Sequence, residues 1–228
     1  MAFIVIEGLD GAGKSTQIQL ITNYFAQRGI PHRYLHFPRV DAPFFGEMVA
    51  RFLRGEFGDV NQVDPYIVAM LYAGDRMDAA ATIREWLQQG NLVILDRYVY
   101  SNVAFQCAKV KDETERGKLR RWILELEFDY FRIPRPNLNI FLDVPFQFTV
   151  QRLSENRQGG DRDYLQGKDD IHEKDLAFQE RVRQVYLAQP QHDPTFRVVE
   201  CSTSSGAMRQ PQEIFESILN LVKQGKFL

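Results

Sequence analysis

Directly behind the apolar run Phe3-Ile4-Val5-Ile6, the chain reads Gly8-Leu9-Asp10-Gly11-Ala12-Gly13-Lys14-Ser15-Thr16. The pattern G-x-x-x-x-G-K-S/T sits between a strand and a helix and wraps backbone N–H groups around an anion. Its glycines allow torsions and close approaches that a Cβ would block. Successive amides form a concave anion site, and the helix that follows adds the positive end of its dipole. Lys14 supplies a mobile charge for outer phosphates, and the Ser15 hydroxyl suits Mg²⁺. A strand that ends in such a loop constrains the fold to an α/β sheet with its ligand at the strand's carboxyl end.

The remaining pattern agrees. Short apolar runs at Phe3–Ile6, Tyr34–Phe37, Leu92–Leu95, Leu138–Leu142 and Phe196–Val199 alternate with stretches long enough for crossover helices. Continuous runs of this kind predict strands of a parallel sheet, buried on both faces. Ile18, Ile21 and Phe25 mark the inner face of the helix after the loop, with Gly29 placed for its C-terminal cap and Pro31 blocking continuation. The expectation is a doubly wound five-stranded parallel sheet flanked by helices, of the P-loop NTPase type. At 228 residues, one domain spanning 1–228 suffices. Residues 106–137 predict a charged segment leading into a long helix marked by Trp122, Ile123, Leu126 and Phe131. Residues 154–175, rich in glycine and charge, predict a mobile lid over the site.

The formal net charge of −2 argues against a non-specific binder of nucleic acid polymers. Phosphates must therefore be met by particular side chains. Only Cys107 and Cys201 occur, too few for a disulfide framework or a four-cysteine metal site, which suits a reducing, cytoplasmic setting. No apolar stretch of membrane-spanning length is present.

A second acidic position follows the third apolar run. Leu92-Val93-Ile94-Leu95-Asp96-Arg97 puts Asp96 at a strand's carboxyl end, where P-loop proteins place a carboxylate for Mg²⁺. Asp143 has the same local pattern, but Pro145 follows it as though opening a helix, and it is read as structural. Arg39 after Phe37-Pro38, Arg76 after Asp75, and Arg97 should converge on one crevice. Guanidinium forks there suit a second phosphorylated molecule facing the P-loop nucleotide. Phe37, Tyr72, Tyr98 and Phe105 lie near enough in sequence to pack in the core or to stack on a flat base.

Taken together, four stretches resemble the thymidylate kinase family of P-loop nucleoside monophosphate kinases. They are Ile4 to Thr16, Phe37-Pro38-Arg39, Tyr72-Ala73-Gly74-Asp75-Arg76, and Asp96-Arg97-Tyr98-Val99-Tyr100-Ser101-Asn102-Val103-Ala104-Phe105-Gln106. The D-R-Y-x-x-S run is the most specific. The resemblance implies transfer of the ATP γ-phosphoryl group to dTMP with Mg²⁺, held at Ser15 and Asp96. It implies that Gly8 to Thr16 bind ATP and that Asp10 meets the deoxyribose 3′-hydroxyl. By the same resemblance Arg39 and Arg97 hold the acceptor phosphate, and Tyr72 stacks on thymine. Arg76, Ser101 and Asn102 belong to the acceptor site, with Arg76 and Asn102 at the base edge, while Phe105 disfavours a 2′-hydroxyl. Arg152 resembles an arginine that packs on adenine. Some members carry an arginine directly after the acidic P-loop residue; here that position is Gly11. Similar members lacking that arginine use a lid arginine, for which Arg157 and Arg162 are both candidates. A homodimer is the family's usual state. Other acceptors, among them dUMP, purine monophosphates and free deoxynucleosides, stay open. A guanine-nucleotide switch is disfavoured by the lack of an N-K-x-D segment.

Overall fold

The computed structural model describes residues 2–59, 62–154 and 175–227. Five strands form one sheet: β1 (Phe3–Gly8), β2 (His32–His36), β3 (Leu92–Asp96), β4 (Leu138–Asp143) and β5 (Phe196–Glu200). Every pairing is parallel, in the order β2-β3-β1-β4-β5.

Alternation along the strands explains the two layers of helices. Phe3, Val5, Val93, Leu95 and Phe141 face one core, while Ile4, Ile6, Ile94, Ile140 and Leu142 face another. The first core is covered by α2 (Phe45–Leu53), α3 (Pro65–Gln88), α4 (Val99–Cys107), α5 (Glu113–Leu124) and α7 (Leu176–Ala188). The second is covered by α1 (Lys14–Gln27) and α8 (Pro211–Gln224). A sixth helix, α6, spans Phe146–Ser154. Because α1 follows β1 on one face and α4 follows β3 on the other, a crevice opens at the carboxyl ends of these neighbouring strands.

The chain's own signals fix the helix ends. Asp64 accepts from the Tyr66 amide at 2.8 Å ahead of Pro65, and Asp112 accepts from the Glu115 amide at 2.9 Å. At the end of α1, Gly29 takes φ 64°, and the amides of Gly29 and Ile30 reach the carbonyls of Ala26 and Phe25. That is the two-bond cap its position predicts.

Two expectations need correction. The second and fifth runs are not buried on both faces: β2 and β5 are the edge strands, with Tyr34 45% exposed on one and Arg197 exposed on the other. The long helix expected in 106–137 is interrupted. After α5 the backbone widens into a π-helical turn, Glu125–Tyr130, and the Phe131 amide donates to the Leu126 carbonyl at 2.9 Å. Within this turn Glu127 and Phe128 are buried while Tyr130 is 78% exposed.

Candidate active site

The P-loop joins β1 to α1 with Gly11 and Gly13 both at φ 78°, in the left-handed region. At Gly8 a Cβ would come within 3.2 Å of the Ala12 Cβ and 3.3 Å of the Lys14 Cγ, so the loop closes tightly on itself. Lys14 is buried, its Nζ donating to the Leu9 carbonyl at 3.1 Å. Burial and then the charge of Arg97 lower its pKa, against the pull of Asp96, Asp10 and Glu7.

Beside it, register sets the second acidic position. Ile6 pairs with Asp96 and His36 pairs with Asp96 from the other side, so three strand ends meet there. Asp96 Oδ2 lies 3.3 Å from His36 Nδ1, while its Oδ1 is buried without a hydrogen-bond partner. Burial alone would raise its pKa, but Lys14, His36 and Arg97 outweigh that and hold the carboxylate below its ordinary range. An ionised buried oxygen with no partner, facing the same cleft as Ser15, is the kind of group that takes a hard cation.

Arg97 follows in a left-handed conformation, φ 65°, with its amide bonded to the Ile6 carbonyl at 2.9 Å. One guanidinium arm donates to Asp10 at 2.6 Å and the other to the Ser101 hydroxyl at 3.2 Å, above the Phe105 ring. Arg39 is fastened at three points to Asp75, through its amide, Nε and Nη2, each at 2.8 Å. Arg76 is almost completely buried and donates from Nε and Nη2 to Glu127 at 2.5 and 2.8 Å. Asn102 lies beside that pair with its Oδ1 buried and unpartnered. Tyr72 meets the Phe52 ring edge-on.

These parts line one cleft of about 1240 Å³. Asp10 to Thr16 form one wall, and Phe37 with Arg39 and the pair Asp96 and Arg97 form another. Tyr72, Arg76, Ser101, Asn102 and Phe105 line the cleft as well. Gly8 and Leu9, expected in the ATP site, do not line the cleft themselves. The side chain of Arg152, with Arg157 and Arg162, lies outside the described residues. Asp143 stays out of the cleft, bonded through both oxygens to Arg183 at 2.6 and 2.9 Å, as its structural reading expects.

Several residues escape the sequence reading. Glu7, fully buried, accepts from the amides of Tyr98 and Ser101, and from the hydroxyls of Ser101 and Tyr186. Gln179 on α7 donates to Asp10 at 3.2 Å. Gln106 lines the cleft with both amide atoms buried and unpartnered. Residues Met208 to Pro211 add a further wall beside the loop. Only the last carried a local signal, since Gln210-Pro211-Gln212-Glu213 reads as a helix start.

Among the described residues no cluster of three or more His, Cys, Asp or Glu side chains could hold a metal by itself, and no helix is long and apolar enough to cross a membrane. A cleft of this volume exceeds the roughly 300–1000 Å³ of a single-ligand pocket. Its lining combines an amide cradle, guanidinium groups and a set of polar and aromatic side chains, which suits two nucleotides meeting through their phosphates.

The comparison with known proteins agrees. The family model for thymidylate kinase matches residues 6–210. Thymidylate kinase of Mycobacterium tuberculosis is 34% identical over 183 residues, covering 80% of this chain and 83% of the relative. A probable thymidylate kinase of Pyrococcus abyssi is 30% identical over 223 residues, covering 97% and 95%. The solved structure of thymidylate kinase from Candida albicans superposes with a TM-score of 0.71 at 24% identity, over 99% of this chain and 92% of that one, a likeness of fold. With the loop, the arginine pair and the sheet order all in place, the chain belongs to the thymidylate kinase family.

Proposed function

We propose the following division of labour for the reaction this chain catalyses, transfer of the γ-phosphoryl group of ATP to dTMP, giving dTDP and ADP for dTTP synthesis. The observation that carries it is the meeting, in one cleft, of the P-loop with the Arg39 and Arg97 forks.

The P-loop amides and Lys14 bind the ATP phosphates. Arg39 and Arg97 orient the dTMP phosphate in line with them, each guanidinium already braced by a carboxylate. Asp10 receives the sugar 3′-hydroxyl, Phe105 crowds the 2′ position, and Tyr72 stacks on the base. Arg76, Asn102 and Gln106 face the base edge. The transition state is loose, so positioning and charge stabilisation do most of the work. The dTMP phosphate, with a second pKa near 6 like other phosphomonoesters, is already an anion and needs no general base. Ser15 and the unpartnered oxygen of Asp96 would hold Mg²⁺, which would offset charge on the phosphates.

The lid of residues 154–175 excludes water and brings Arg157 or Arg162 to the transferring group, with Arg152 on adenine. The chain acts as one domain in the cytoplasm, as a homodimer. Exposed Ile67, Met70 and Met77 lie on one side of α3 and offer an apolar stripe for a second copy. Lys14→Ala should abolish dTDP formation in an ADP-release assay while melting like the parent. Near-normal turnover by that variant overturns the assignment.

A further inference from the structure

Behind Arg76 and Asn102, which line the cleft, lies a buried carboxylate that neither the P-loop nor the phosphate site accounts for. Glu127 is completely buried and is carried on the π-helical turn. Its Oε2 accepts from Arg76 Nε, and its Oε1 accepts from Arg76 Nη2 and, at 3.0 Å, from Asn102 Nδ2. Asn102 Nδ2 also donates to the Ala69 carbonyl at 2.9 Å. Both hydrogens of the Asn102 amide are therefore spent on the protein, and a carboxylate can only accept. The amide cannot flip without setting its oxygen against Glu127. Its Oδ1 is left as an acceptor, buried and unpartnered, on a residue that lines the cleft. Beside it, Arg76 can only donate.

An acceptor next to a donor is complementary to a pyrimidine with N3–H and a 4-keto oxygen. A 4-amino pyrimidine offers the reverse pattern, a bare N3 and a donating amine. Buried ion pairs contribute little to stability compared with apolar replacements, so a pair kept at a ligand's edge points to selectivity. We propose that Glu127 is a positioning residue that makes this site select 4-keto over 4-amino pyrimidine nucleotides, by locking the Asn102 amide and the Arg76 fork in one orientation. The inference rests on the reading above, in which Arg76 and Asn102 face the base.

The test uses the full-length protein with dTMP and dCMP as acceptors at saturating ATP. Glu127→Gln removes the carboxylate that takes one Asn102 hydrogen and both Arg76 bonds, leaving the Ala69 carbonyl as the fixed acceptor for the amide, so the base edge is held less firmly in one orientation. The ratio of kcat/KM for dTMP over dCMP should fall about 10- to 100-fold, through KM, with kcat for dTMP nearly kept. Glu127→Asp, which keeps the carboxylate, should restore part of that ratio. An unchanged ratio in Glu127→Gln overturns the proposal, and so does a loss of kcat with KM unmoved. Asn102→Ala separates the two levels. If it leaves KM for dTMP unchanged, the base-edge reading itself fails; if it raises KM while Glu127→Gln keeps full selectivity, only the role of Glu127 fails. Should Glu127→Gln not fold, the parent protein decides. The Asn102 side-chain amide protons, assigned by their loss in Asn102→Ala, should be protected from exchange before any nucleotide is added. Rapid exchange overturns the lock.

Discussion

Replacing Arg97 by lysine separates the value of a fork from the value of a charge. Arginine spans Asp10 at 2.6 Å and Ser101 at 3.2 Å from two different nitrogens, and in the proposed site the same fork serves the acceptor phosphate. A lysine keeps the charge but concentrates it on one nitrogen, which cannot serve Asp10, Ser101 and a phosphate together. At least one charge-assisted hydrogen bond is lost, about 1.5–3 kcal/mol. With about 1.4 kcal/mol per factor of ten, kcat/KM for dTMP should fall about 10- to 150-fold. The backbone adds no confounding effect, because arginine and lysine bear the left-handed φ of 65° equally. ADP release measured with dTMP varied at saturating ATP gives the number, and the same assay with ATP varied should show KM for ATP close to the parent value. A kcat/KM for dTMP within threefold of the parent, in a variant that melts normally, would refute the claim that fork geometry holds the acceptor.

Three further predictions concern groups around the cleft. Burial is the leading cause that raises the pKa of Glu7, against Ser101, Arg97, Tyr186 and the Tyr98 amide. Its contribution to stability is therefore complete below 4.5 and is lost as pH rises through the folded pKa; melting temperatures from pH 4 upward should fall for the parent relative to Glu7→Gln, and parallel curves would contradict this. Gly46 sits where a Cβ would lie 2.0 Å from the Arg39 carbonyl oxygen. Gly46→Ala should shift that peptide, costing about 1–3 kcal/mol in thermal unfolding and raising KM for dTMP, and an unchanged KM would refute the link. Lys109, its Nζ 5.0 Å from the centre of the Phe52 ring, has its pKa pushed down by burial to about 7, with Asp64 opposing. The folded state favours the neutral amine, so stability held above 10.5 is lost as pH falls toward 7; Lys109→Met should stabilise more at pH 6 than at pH 10, and equal gains at both would count against a buried amine.

The chemistry of this protein is written locally, and local chemistry is what a sequence displays. The strand, glycines, lysine and serine of residues 3–16 specify an anion cradle wherever they occur, because the torsions and donors belong to neighbouring residues. Asp96 and Arg97 at a strand end, and the family resemblance built on them, follow from the same short-range logic. What the sequence could not display is which distant groups finish the site. Register between β1, β2 and β3 brings Asp96 beside Ile6 and His36, and the turn into α4 sets Ser101 on Glu7, 94 positions away in sequence. The break at Glu125–Tyr130, invisible to a helical period, carries Glu127 under Arg76 and Asn102. Only folding removes water from these carboxylates, and a buried carboxylate must find donors wherever the packed elements offer them. Sequence thus determined which phosphate-binding parts are present; tertiary structure decided how each is oriented and which distant side chains brace it.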